Sequence, residues 1–546
     1  MAKVFDYVIV GAGSAGCILA NRLSADGKHS VCILEAGGSD WHPYIQIPAG
    51  FIKTILNPSV NWLYETEPTH WTGGRPIGVP RGRVLGGSSS INGHIFNRGQ
   101  RMDFDGWAQN GNRGWGYFDV LPYFKRYETR IGEGDDTFRG RNGEMTVTDL
   151  GYQHPLADMF IKGANSIGIP TNPDYNGVKQ EGINYVQRTV KNRQRMSTAR
   201  AFLHPVKGRK NLTILTHAQA TRVLFDGKRA TGVEYAEGGK NGPLVEVHAA
   251  KEVILSGGTI NSPHLLQLSG IGPGGLLQGL GIDLRQELAG VGENFRDHYA
   301  PRFSARVKNI ETLNERAKGL NMLGEIAKYF TGGKSILSLS ASMVYGFWHS
   351  DEVARHLDLQ FIFTPASYKF GVHGQLDDHP GFTLATWQHR PTSAGYVRAV
   401  STDPFEKPVV NPNYLGEEED RKVTIRAMRL SHRLMHNEVM TPYIEREEYP
   451  NVNVDSDDEL LEAARHYGNT TFHVMGACKM GPATDPLAVV DDELKVHGMQ
   501  GLRVVDASIM PAMVSANLNA ATMMIAEKAS DMILGKTPPD PLIVPE

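Results

Sequence analysis

The sequence predicts an α/β protein: a parallel sheet with its helices forms one domain, and an antiparallel sheet forms the core of a second, α+β domain. Three observations carry this expectation. An apolar run, Asp6-Tyr7-Val8-Ile9-Val10, leads into Gly11-Ala12-Gly13-Ser14-Ala15-Gly16, a helix-like stretch to Leu23, and a second apolar run, Val31-Cys32-Ile33-Leu34, closed by Glu35. From about Arg302 to about Ala463 the pattern turns to short runs of period-two character, as in half-buried antiparallel strands. At 546 residues the chain is also too long for one core, and two unequal domains are the natural division.

The first of these is the βαβ dinucleotide fingerprint. Gly11 permits the tight turn, Gly13 lets the backbone approach a pyrophosphate, and Gly16 lets helix and strand pack closely. The helix start at Ser14 and Ala15 offers unpaired N–H groups and a positive dipole end to phosphate. Glu35, followed by Ala36, stands where the fingerprint places an acid against the adenosine ribose hydroxyls. A carboxylate there argues against the 2′-phosphate of NADP and leaves NAD and FAD open.

Composition narrows the partners. Lys and Arg number 56 against 59 Asp and Glu, a net charge of −3, so no basic surplus points to nucleic acid. No run reaches the ~18 apolar residues of a membrane-spanning helix. No basic, apolar segment with a cleavage site precedes the first strand, so a cytoplasmic location is expected. Cys17, Cys32 and Cys478 are an odd number without CxxC or Cys/His spacing, which predicts neither disulfides nor a metal centre.

Taken in order, residues 36–75 are irregular, rich in Pro and aromatics and include Trp62, which reads as an excursion over the surface or the cofactor. Arg81-Gly82-Arg83-Val84-Leu85-Gly86-Gly87-Ser88-Ser89-Ser90-Ile91-Asn92-Gly93 follows, then His94-Ile95-Phe96; small residues there gather backbone N–H groups around an anion or the polar edge of a flat ring. Strands are expected at Glu246–Ser256 and within Thr213–Leu224, and at Ser338–Val344, Asp358–Phe363, Thr383–Trp387 and Gly395–Val400. Near the end, Gly501–Ala507 reads as a strand closed by Asp506 and Ala507, and Ala516–Met532 as the helix after it.

With Glu35-Ala36-Gly37, the Gly/Ser-rich segment resembles the glucose–methanol–choline (GMC) family of FAD-dependent oxidoreductases. A second signature of that family runs from Gly258-Thr259-Ile260-Asn261-Ser262-Pro263 to Gly272, and the likeness continues through Val291–His298 and Asn411–Tyr414 to the C-terminal region. The resemblance implies a discontinuous, Rossmann-like FAD-binding domain from residues 1–155, 196–301 and 464–546, and a substrate-binding domain from 156–195 and 302–463. Relatives with a flavin linked through histidine carry that residue where this chain has Ile91, so non-covalent FAD is expected. Beyond the fingerprint residues, the resemblance places FAD contacts at Trp62, Arg81, Leu85, Gly86, Gly87, Ser90, Asn92, Gly93, His94, Ile95, the backbone of Val223 at the adenine, Gly258, Phe472, Asp506, Ala507, Asn517, Asn519 and Ala520.

Oxidising an alcohol requires a base for the hydroxyl proton, and histidine titrates in the right range. Composition does not choose among 20 histidines; the resemblance does, because Asn469-Thr470-Thr471-Phe472-His473 matches the segment bearing the family's base. Asn517 matches the second active-site position; read from the residues alone, it is equally an N-cap of the last helix. The implied reaction takes a primary alcohol to an aldehyde. Phe361, Phe363, Trp387, Phe472, Met513 and Val514 are expected to line an apolar substrate end, favouring an aryl or medium-chain aliphatic alcohol. The alternatives are a hydroxynitrile-type lyase on the same fold and a choline- or polyol-type dehydrogenase. Oxygen or a quinone would be the electron acceptor, a quinone implying a peripheral position at the inner face of a membrane; the oligomeric state stays open.

Overall fold

The computed structural model describes residues 3–351, 356–370 and 374–542. Two sheets organise it. The nucleotide sheet contains β1 (Lys3–Val10), β2 (Val31–Leu34), β3 (Leu212–Leu215), β4 (Ala218–Asp226), β5 (Arg229–Glu237) and β6 (Leu244–Leu255), in the order β3-β2-β1-β6-β5-β4. Strands β3, β2, β1 and β6 run parallel, and β6, β5 and β4 form an antiparallel meander. The last strand in the chain, Leu502–Val504, pairs in parallel with Val253–Leu255 of β6. Residues 7–10 of β1 and all of β2 are buried, as strands covered on both faces require.

The run expected within Thr213–Leu224 divides in two. His217, with φ of 53°, turns the chain between β3 and β4, so one half joins the parallel ladder and the other starts the meander. Helix α1 (Ser14–Leu23) packs so close to the turn that a Cβ on Gly16 would lie 1.9 Å from the Gly11 carbonyl oxygen. Helix α2 (Gly258–Leu268) follows β6, and α3 (Leu518–Ile533) packs against α1.

The second sheet is antiparallel throughout. It contains β7 (Arg302–Val307), β8 (Val344–Trp348), β9 (Leu359–Thr364), β10 (Gly381–Gln388) and β11 (Ile444–Tyr449), ordered β11-β7-β10-β9-β8 with Gly182–Tyr185 at the far edge. The Asp358–Phe363 and Thr383–Trp387 runs are β9 and β10. The other two expected strands differ: Ser338–Val344 is a short 3-10 turn and loop that becomes strand only at Val344, and Tyr396–Arg398 pairs with Val409–Asn411 outside this sheet. Both runs alternate in sequence, but alternation does not specify a partner. The three cysteines are buried and free, and among the described residues no helix is long and apolar enough to cross a membrane.

Candidate active site

A cavity of about 810 Å³ runs between the two sheets, from the βαβ turn to the inner face of the antiparallel sheet. That is within the size range of ligand and cofactor sites.

At the nucleotide end the lining includes Gly11, Gly13, Ser14, Ala15, Glu35 and Ala36. Gly11 has φ of +98°, and a Cβ there would lie 2.5 Å from the Ser256 carbonyl oxygen, so only glycine fits. Glu35 accepts from the Ala12 N–H at 3.0 Å and the Gly37 N–H at 2.8 Å; burial nevertheless pushes its pKa up to about 7. Hydroxyl donors from a ribose would complete its shell and hold it ionised.

The Gly/Ser segment lies against this turn. The Gly86 N–H donates to the Ala12 carbonyl at 2.7 Å, and a Cβ on Gly87 would approach Gly13 Cα to 2.7 Å. Two bare backbones thus form one wall, with Gly87, Asn92, Gly93, His94 and Ile95 facing the cavity and Ile91 among them. Buried Arg195 ties the loop down, donating to the carbonyls of Asn92 and Ile45 and to Asn92 Oδ1. Trp62, Arg81, Gly258, Phe472, Asp506, Ala507 and Asn519 complete the wall. Arg81 donates to the Phe472 carbonyl at 2.7 Å, and Ser14 Oγ donates to Asn519 Oδ1 at 2.7 Å, linking the first helix to the last. Bare glycines, a helix start and a carboxylate in one trough fit an extended dinucleotide.

Six expected contacts stand behind the wall. Gly16, Leu85, Gly86, Ser90 and Ala520 shape it from the second layer: the Leu85 carbonyl accepts from Ser90 Oγ, and the Ala520 carbonyl from the Tyr127 hydroxyl. Val223 lies outside the lining because its N–H is taken by Ser269 Oγ at 2.9 Å; Ala218, Gln219 and Ala220, earlier on β4, face the cavity instead.

His473 and Asn517 meet at the other end. Asn517 holds the N-cap position of α3, but its side chain makes no cap bond. Its Nδ2 donates to His473 Nε2 at 2.8 Å, and its Oδ1 accepts from the Tyr345 hydroxyl at 3.0 Å. On its other side, His473 Nδ1 lies 2.8 Å from Thr471 Oγ1 and 3.0 Å from His298 Nδ1. His298 Nε2 is 2.6 Å from the His389 carbonyl, which only accepts, so the His298 proton sits on Nε2 and its Nδ1 carries a lone pair. The His473 proton is then on Nδ1, and the Nε2 lone pair accepts from Asn517 Nδ2 at the cavity wall. Burial, with His298 and Arg81 adding to it, holds the His473 pKa well below the ordinary imidazole value; burial takes His298 to about 4. Both rings are neutral at neutral pH.

Asp297 fixes this segment. Its carboxylate accepts from the His473 N–H at 2.7 Å, the His298 N–H at 2.9 Å, the Tyr414 hydroxyl at 2.6 Å and the Thr470 hydroxyl. Phe472 adopts φ of 69°, which turns the chain between Thr471 and His473. Asp297 and His298 close the Val291–His298 signature, where an acid followed by a histidine is the only sequence signal for this role. Tyr345 and Arg302 had no signal, since only strand pairing brings them to the cavity.

The expected substrate lining needs correction. Trp387 and Phe472 face the cavity, but Phe361 and Phe363 lie on the opposite face of β9, where Phe363 stacks on Phe160 at 4.1 Å. Their strand neighbours Ile362 and Thr364 point inward in their place. Met513 and Val514 are buried in the core of the nucleotide domain. The substrate end is more polar than expected, with Arg75, Arg302, Tyr345, Thr364, Lys369 and Thr383 in its lining. Elsewhere, on the surface, His432, His436 and Glu447 bring ligand atoms within 4.8 Å of one another; the two histidines stand four apart in the sequence, and strand pairing adds the glutamate.

Family models described as GMC oxidoreductase match residues 5–300 and 391–526. The chain is 40% identical over 546 residues to a protein named oxygen-dependent choline dehydrogenase from Staphylococcus xylosus, covering 99% of this chain and 97% of that one. Among solved structures it resembles a pyridoxine 4-oxidase from Mesorbium loti, with a TM-score of 0.85, 30% identity, and coverage of 96% of this chain and 98% of that one. A formate oxidase superposes with a TM-score of 0.90 at 26% identity, with 98% of each chain covered.

Proposed function

The chain belongs to the GMC oxidoreductase family, an FAD-dependent enzyme acting on CH–OH donors, and from that premise we propose that it oxidises a primary alcohol bearing a polar or charged group to the aldehyde. The observation that carries the reading is the pairing of Asn517 with the unprotonated Nε2 of His473 at the cavity wall.

Bound along the cavity, FAD supplies the acceptor for the two electrons and one hydrogen that leave the carbinol carbon as hydride. The protein's share is the proton and the geometry. An alcohol oxygen entering between the two side chains takes over the Asn517 amide N–H that otherwise binds His473 Nε2, and gives its hydroxyl proton to the Nε2 lone pair so freed. The resulting imidazolium keeps its Nδ1 proton on His298 and Thr471, and the Asp297 carboxylate holds the backbone beneath it. A positioned base of this kind contributes about 10² to 10⁴ in rate.

The expectation of a plain aryl or aliphatic alcohol loses its support with Phe361, Phe363, Met513 and Val514 turned away. The polar lining favours a substrate bearing a polar or charged group, and the Staphylococcus relative is named for choline, which bears one of positive sign. Dioxygen is the proposed terminal acceptor, because that relative's name states oxygen dependence and the two structural neighbours are named oxidases. The lyase alternative gains nothing from relatives named for oxidation. In the test, purified yellow protein is mixed anaerobically with charged and neutral primary alcohols while flavin absorbance is followed, and air is then admitted. Bleaching that air reverses, with peroxide formed, supports the reading; no bleaching by any alcohol overturns it.

A further inference from the structure

Deepening the reading above, on which it rests, we propose that the substrate alcohol carries an anionic group, a carboxylate in the first instance, and that Arg302 binds it. The relationship is built into the antiparallel sheet. Tyr345 stands opposite Ile362, Ile362 opposite Ala385, and Ala385 opposite Arg302, one row crossing β8, β9, β10 and β7. All four residues line the cavity. The row begins at the catalytic pair, where Tyr345 holds Asn517, and ends three strand spacings away, about 14 Å between backbones. Ile362 and Ala385 leave an apolar strip between the two ends, wide enough for the body of a short substrate.

Among the described residues Arg302 has neither a counter-ion nor a hydrogen-bond acceptor; Tyr449 and Tyr368 are the titratable groups that face it, and burial lowers its pKa. The other cations at this end are engaged: Arg75 donates to the carbonyls of Arg465 and Gly468, and Lys369 pairs with Asp378 at 2.9 Å. The carboxylates in the lining, among the described residues, are Glu35 at the ribose end and Asp506, which already accepts from Gly258, Ser262 and Ser508. Arg302 is half-buried and lines the cavity; its guanidinium presents unused N–H donors to whatever enters, and a ligand carboxylate is the planar, bidentate acceptor that matches them. A quaternary ammonium would meet the same charge sign with no acid nearby to offset it.

The test compares holoenzyme with Arg302→Met and Arg302→Lys. Anaerobic flavin reduction is measured with 4-(hydroxymethyl)benzoate against 4-methylbenzyl alcohol, 6-hydroxyhexanoate against 1-hexanol, and choline. The expected result is a ratio of limiting reduction rate to half-saturating concentration at least tenfold higher for each anion than for its neutral counterpart, expressed mainly in the half-saturating concentration; Arg302→Met brings the anion-to-neutral ratio near one, and Arg302→Lys recovers part of it. A wild-type preference for choline or the neutral alcohols, or a ratio unmoved by Arg302→Met, overturns the proposal. A second readout does not require turnover. Benzoate and hexanoate are titrated against the flavin spectrum, and the expected perturbation in wild type disappears in Arg302→Met; absence of any perturbation in wild type overturns carboxylate binding even if neutral alcohols react. Reduction by no alcohol together with carboxylate binding would instead overturn the oxidation reading alone. The FAD-to-protein ratio is expected to be equal in all three proteins, and its loss in Arg302→Met would assign the residue to the cofactor.

Discussion

The hydroxyl of Tyr345 donates to Asn517 Oδ1 at 3.0 Å, and that bond decides which way the Asn517 amide faces. With Oδ1 engaged, Nδ2 is turned to His473, so a residue on the antiparallel sheet orients a residue at the head of the last helix. Tyr345→Phe should free the amide to turn. The flavin-reduction rate should fall about tenfold, the scale of one lost hydrogen bond, while FAD content holds. Asn517→Asp should cost more, about 10²-fold, because a carboxylate does not donate to the alcohol oxygen. Stopped-flow reduction at saturating substrate measures both, and equal rates in wild type and Tyr345→Phe would remove the orienting role.

His473→Ala should lower the flavin-reduction rate by about 10² to 10⁴. His298→Ala should cost less, since His298 acts through the tautomer of its neighbour. A comparable loss from both would make the two histidines equal partners in the chemistry.

The pH profile follows from burial. The base works unprotonated, and its pKa is held well below 6.5 by burial, then His298, then Arg81. As pH falls, kcat/KM should therefore stay level through the range where free histidine protonates and decline only in more acid solution. A limb with an apparent pKa at or above 6.5 would contradict the neutral His473–His298 arrangement.

Stability has its own acid limb. His154, His264 and His298 are buried with pKa values near 4, against about 6.5 in an unfolded chain. Below 6.5 the unfolded chain takes up protons that the folded chain refuses, so these groups make stability fall as pH drops from about 6.5 towards 4. Thermal unfolding followed from pH 7.5 to 4.5 should show a lower midpoint at each acid step.

Gly16→Ala should displace the fingerprint turn, since its Cβ would lie 1.9 Å from the Gly11 carbonyl oxygen. A cost of about 1–3 kcal/mol and a reduced FAD-to-protein ratio are expected. Gly208→Ala, with open space around its Cβ, should leave both unchanged. Similar behaviour of the two variants would show that the turn yields.

The nucleotide half was legible in the sequence because its chemistry is local. Gly11, Gly13, Gly16 and Glu35 lie within one βαβ unit, and each spacing carries its own reason. His473 and Asn517 required the family resemblance, since nothing local separates His473 from the other histidines. The substrate end was misread through register. Phe361 and Phe363 alternate with Ile362 and Thr364, and a strand buried on both faces does not show which set looks inward. Arg302, Ala385, Ile362 and Tyr345 come from four strands, and their row exists only through pairing.

The strand Leu502–Val504 sets a timetable for the molecule. Synthesis delivers β1, β2 and β6 early, but the sheet keeps an unpaired edge beside Val253–Leu255 until the region beyond residue 500 has been made. The same late region brings Asn517, which meets His473, 44 residues before it, and Asn519, which meets Ser14 across 505 residues. A nascent chain on the ribosome therefore holds the fingerprint before it holds Asn519, which ties Ser14 down, or the His473–Asn517 pair, which is complete only once translation has reached α3.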